Sequence, residues 1–134
     1  MMFDPIKIVQ VRISSAALVD SDATAPASNE VDLAPYAVVG KRSIVAVWAP
    51  IILGTDTDET YDNEIQESDT TASSDFATIS GANFTQVTPE TDAAFQSLTL
   101  VATKRYVRSL LTLGGTTASI RDATALVVMG RFDT

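Results

Sequence analysis

Five carboxylates fall within nine residues, Asp56, Asp58, Glu59, Asp62 and Glu64. Hard oxygen donors so close together could hold a calcium ion, but a calcium loop of the EF-hand type needs Gly where Tyr61 stands, and its bidentate Glu would have to be Glu67. The run reads as a solvated acidic loop, with calcium as the competing reading. Paired carboxylates can also carry general acid–base catalysis. Here they fall in loops or on a polar strand face, where nothing separates two pKa values by burial. The chain contains no His and no Cys, which removes the usual zinc ligand sets, the Ser-His-Asp and Cys-His nucleophile pairs, and thiol chemistry. Gly114-Gly115 and the scattered single glycines match no phosphate-binding pattern. No catalytic residue, metal or cofactor is assigned, and no enzymatic activity is expected.

The other concentrated chemistry is Lys104-Arg105-Tyr106-Val107-Arg108, three cations and an aromatic in five residues. Single-strand nucleic-acid binders use such sets, cations for phosphates and the ring for stacking. A formal net charge of -8 opposes that use, because binding to phosphates is driven by cations that displace counterions. At a protein interface, Arg and Tyr act as anchors, which makes Arg105, Tyr106 and Arg108 candidate partner contacts. The competing reading is an outward strand face with Arg108 paired to a cross-strand carboxylate, Glu64 or Glu67. Residues 14–29, rich in Ser, Ala, Asp and Thr, read as a long polar loop. Asp20 and Asp22 in it are further candidate contacts.

These groups need elements to position them. At 134 residues the chain is long enough for one domain with its own core, without staples. Its start holds Asp4 and Lys7 and does not read as a signal peptide. The longest apolar run, 44–53, is interrupted by Pro50 and is about half a membrane span. A soluble protein without an export signal, binding neither nucleic acid nor membrane, is the expectation. Strands are expected at 6–13, 36–39, 43–53, 60–68, 97–102, 105–113 and 119–129. Shorter runs at 76–79 and 84–87 are separated by Gly81-Ala82-Asn83. A buried helix competes for 43–53, but β-branching and Pro50 count against it. In 60–68, Asp62, Glu64, Gln66 and Ser68 form a solvent-facing set. In 105–113, Val107, Ser109, Leu111 and Leu113 face the core, with Tyr106, Arg108, Leu110 and Thr112 outward. Residues 69–75 read as a hairpin turn, 89–95 as either one helical turn or a polar connection, and Gly114-Gly115 as a tight turn. About eight short strands without a long helix predict an all-β fold, an antiparallel β-sandwich or jelly roll, in one domain over 1–134 with a polar loop at about 14–30.

Gln66-Glu67-Ser68-Asp69 followed by Phe76, and Arg105-Tyr106-Val107-Arg108 followed by Gly114-Gly115, occur in that order. Over about residues 31–128 the chain resembles small β-sandwich proteins that decorate or cement the capsids of tailed double-stranded DNA phages. The resemblance implies a non-enzymatic virion subunit on the capsid exterior, made in the host cytoplasm. It implies the major capsid protein and further copies of the chain, as dimer or trimer, as partners. The acidic 55–59 stretch and residues 14–29 depart from the pattern. A tail or head-to-tail joining protein is the alternative within phage structure. A carbohydrate-binding β-sandwich module is the alternative outside it, disfavoured because Trp48, the single tryptophan, sits in the most apolar strand.

Overall fold

The computed structural model describes residues 30–34, 43–91 and 94–128 in full, and the backbone of residues 2–3, 7–13, 18–19, 42 and 132–133. The strands are β1 (Met2–Phe3), β2 (Lys7–Ile13), β3 (Leu18–Val19), β4 (Val31–Asp32), β5 (Arg42–Ile52), β6 (Thr60–Ser68), β7 (Ala77–Asn83), β8 (Gln96–Ala102), β9 (Tyr106–Gly114), β10 (Ser119–Val128) and β11 (Phe132–Asp133). Seven of them have seven residues or more. Ser73–Asp75 forms a 3-10 turn, and among the described residues no helix is long and apolar enough to cross a membrane. The fold is an all-β, antiparallel β-sandwich.

One sheet runs β2-β10-β5-β8, with β3 also paired to β10; the other runs β4-β9-β6-β7. Every pairing is antiparallel. Four pairs are nested along the chain, β2 with β10, β4 with β9, β5 with β8 and β6 with β7. The links β10–β5 and β9–β6 then fold this ribbon into two layers. β1 and β11 form a separate two-stranded pairing.

Alternation decides the faces. In β5, Ile44, Ala46 and Trp48 are fully buried while Val45 and Val47 are half-buried, so the strand reading of 43–53 holds and the helix reading does not. Pro50 is accommodated because β8 has already ended: its last pair with β5 is Gln96 with Trp48, so no donor is needed on that side of Pro50. In β9, Val107, Ser109, Leu111 and Leu113 all point inward as expected. They meet Ile44, Ala46, Trp48, Leu100, Ile120 and Leu126 of the opposite sheet in one core.

Several expectations change. Leu18 and Val19 pair with Ile120 and Ser119, so residues 14–29 are not wholly loop; the rest of that segment, with Asp20 and Asp22, lies outside the described residues, as does the strand expected at 36–39. Gly81-Ala82-Asn83 does not end a strand. β7 runs through it, with Gly81 at φ 78, beside a register shift opposite Glu64 to Gln66. The 84–87 run makes only an isolated bridge, Val87 with Tyr61. Of the 89–95 segment, residues 88–91 form a polar turn, the Thr91 N–H donating to the Thr88 carbonyl at 3.1 Å, and 92–93 lie outside the described residues.

Candidate functional surfaces

The end of β6 and the start of β9 lie side by side, with Gln66 opposite Arg108 and Ser68 opposite Tyr106. Their side chains interlock across the 103–105 turn. The Glu67 carboxylate accepts from the Thr103 N–H at 2.8 Å, the Thr103 hydroxyl at 3.1 Å and the Lys104 N–H at 3.2 Å. Asp69 accepts from Lys104 at 3.0 Å, which raises the lysine pKa. Arg105 clamps Asp32 of β4 with two bonds of 3.0 and 2.9 Å and lies over the Tyr106 ring at 5.0 Å. Two of the three cations in this stretch are therefore exposed but held by carboxylates of the same chain.

Arg108 is buried, not outward in solvent. Strand alternation does place it on the outer sheet face, but the turn after β6 folds back over that face. Its guanidinium rests on the Phe76 ring at 4.1 Å and donates to Gln66 Oε1 at 2.8 Å, to the Ser73 hydroxyl at 3.0 Å and to the Ser73 carbonyl at 3.3 Å. Neither Glu64 nor Glu67 is its partner. Burial lowers its pKa, with Glu30 and Glu64 acting weakly the other way. The same cover buries Gln66 and Ser68, so the outer set of β6 is solvent-facing only at Asp62 and Glu64. Tyr106 is half-buried. As partner contacts, Arg105 and Arg108 thus lose much of their free hydrogen-bonding capacity to the corner itself.

The acidic run does not converge. Asp62 takes the Gln86 amide at 3.0 Å, and Glu64 takes the Thr78 hydroxyl. Asp58 takes Thr116 at 2.6 Å, and Asp56 shares the single Thr117 hydroxyl, at 2.5 Å, with Glu59. Glu59 is fully buried, accepting from Tyr61 at 3.0 Å and from Thr117 at 2.7 Å. Gly54 makes room for that carboxylate, since a Cβ there would collide with it. Gly115, at φ 97, brings the 114–118 turn against the backbone of Asp58 and Glu59. Among the described residues no group of three or more His, Cys, Asp or Glu is placed to hold a metal ion. These carboxylates tie the 53–59 loop to the 115–119 turn.

A polar relay crosses the core. Ser109 donates to Asn63 Oδ1 at 2.6 Å, and Asn63 donates across the sandwich to Thr124 at 3.2 Å. Asp122 accepts from Thr124 at 3.5 Å and from the Trp48 indole N–H at 3.0 Å. Trp48 is therefore an internal donor, not an exposed sugar platform.

The surface that sequence reasoning missed is the outer face of β8, β5 and β10. Its outward positions are Ser97, Thr99 and Val101; Ser43, Val45, Val47, Ala49 and Ile51; and Arg121, Ala123, Ala125 and Val127. No carboxylate stands among them in a chain with 17 acidic residues. Ile51 is 59% exposed, and Phe95, next to this face, is 64% exposed. Arg121 is exposed and makes no hydrogen bond or ion pair among the described residues. The signal was present as alternation in 120–128, but Asp122 and Thr124 on the inward side disguise it. No protein-family model matches the chain, and comparison with curated proteins gives no significant match.

Proposed function

We propose that this chain is a non-enzymatic virion structural protein that binds the outside of a tailed-phage capsid and reinforces contacts between major capsid subunits. The observation that carries this reading is the corner at β6 and β9. The two stretches on which the resemblance rests, up to 42 residues apart, lock together through Gln66, Glu67, Asp69, Lys104 and Arg108. They act as one structural unit of the sandwich. A jelly-roll winding is part of this proposal, and the four nested antiparallel pairs support it. A contact too weak to hold one subunit still stabilises a shell when a symmetric lattice repeats it.

Purified shells lacking the protein test the reading. They should take it up in a fixed ratio to the major subunit and then survive higher temperature or lower external salt before rupture. Binding no better than that of an unrelated acidic protein defeats the proposal. Uptake limited to a single ring at one vertex favours the head-to-tail joining alternative.

A further inference from the structure

We propose that two copies of this chain associate face to face through the outer surface of β8, β5 and β10, about a two-fold axis running along β5. The proposal does not depend on the capsid reading. Its first support is charge. Each copy carries a net charge of -8, so most approaches bring carboxylates together, whereas this face presents none and is lined by Val45, Val47, Ala49, Ala123, Ala125 and Val127. Acidic copies repel least here.

The second support is self-complementarity. β8 and β10 flank β5 on opposite sides. Arg121 of β10 is level with Ile51. Phe95 directly precedes Gln96, which pairs with Trp48, so Phe95 comes level with Ala49 at the same end of the face. It continues the outward series of Ser97, Thr99 and Val101. A two-fold axis along β5 lays the β10 row of one copy over the β8 row of the other. Arg121 of each copy then reaches Phe95 of its partner, as an isologous contact requires, with residue i on j and j on i. The offset along the strand, about 7 Å, is within the reach of an extended arginine. A guanidinium over a phenyl ring is attractive and shields both apolar surfaces. On the same axis Ala123 comes level with the partner's Phe95, Ala125 with Ser97 and Val127 with Thr99, so the small Ala125 and Ser97 let the sheets approach closely. Three overlapping rows of about 14 Å by about 27 Å cover roughly 800 Å² in total, which sets a weak, concentration-dependent dimer and not an obligate one.

Sedimentation equilibrium on the intact chain measures this directly. The wild type should show a reversible monomer–dimer equilibrium. Arg121→Glu and Phe95→Ser should each weaken it about tenfold or more, because each removes two symmetry-related contacts. Both positions are exposed, so circular dichroism and melting should match the wild type and separate loss of association from loss of fold. The exchange variant Arg121→Phe with Phe95→Arg rebuilds the same pair in reverse and should recover most of the affinity. A wild type that stays monomeric at every concentration overturns the proposal. So does a dimer that both single variants leave intact, or an exchange variant no better than either. Shell binding by a strictly monomeric protein would sink this inference and leave the capsid reading standing.

Discussion

At the residue scale, Arg108 and Arg105 sit three positions apart and hold different kinds of contact. Arg105–Asp32 is an exposed ion pair, and such pairs contribute little because water and salt screen them. Arg108 is desolvated, and its removal leaves Gln66 Oε1 without its buried donor and Phe76 without its cover. Arg108→Ala should therefore lower stability by about 1–3 kcal/mol, and Arg105→Ala by much less, read from denaturation midpoints at equal slope. Tyr61 makes a pH prediction. Burial, and more weakly Glu59, push its phenol from 10.0 to about 12, against the Ser119 backbone contact. A phenol that ionises later in the folded chain than in the unfolded one contributes stability that is fully present below pH 10 and is lost as pH rises toward about 12. Tyr61→Phe should flatten that alkaline limb relative to the wild type. An unchanged slope would mean that another group governs it.

At the element scale, β9 was the most legible strand. Val107, Ser109, Leu111 and Leu113 alternate cleanly, and period-two patterning is what a half-buried strand imposes. Leu111→Ala should cost about 2–5 kcal/mol, while Glu64→Ala, half-exposed on the outer face, should cost far less. Matching denaturation midpoints would contradict the observed faces. Gly115→Ala tests the turn. Its φ of 97 and a new Cβ at 2.8 Å from the Asp58 carbonyl should destabilise the turn by about 1 kcal/mol or more. Six of the seven long strands and their class could be read from β-branching, alternation and turn residues; β7 was cut short because Gly81-Ala82-Asn83 looked like a break. What could not be read came from other elements: burial of Arg108 depends on a turn folding back over its own sheet, and pairing of Leu18–Val19 depends on β10 lying alongside. The intramolecular partners of Arg105 and Arg108, Asp32 on one side and Gln66 with Ser73 on the other, lie far off in the chain and could not be read from the cluster itself. The Arg121 face stayed hidden because polar Asp122 and Thr124 occupy the inward positions that usually announce a core strand.

At the scale of the whole molecule, two layers are joined by an apolar core, and among the described residues two directional links cross it, Asn63 to Thr124 and Tyr61 to Ser119. Asn63→Ala should cost about 1–3 kcal/mol by removing the buried acceptor of Ser109 and the cross-layer donor to Thr124, a loss visible as a lower denaturation midpoint with unchanged strand content. Apolar contact resists pulling two sheets apart but is non-directional, so by itself it offers little resistance to sliding. A slip of one residue along a strand, about 3.4 Å, would break both links at once. The sandwich is in effect a lap joint with two rivets: one pin would still let the layers pivot, and two forbid pivoting and sliding together. A tangential pull on either sheet is therefore passed to the other as shear through Asn63 and Tyr61, and the domain transmits load as a rigid plate.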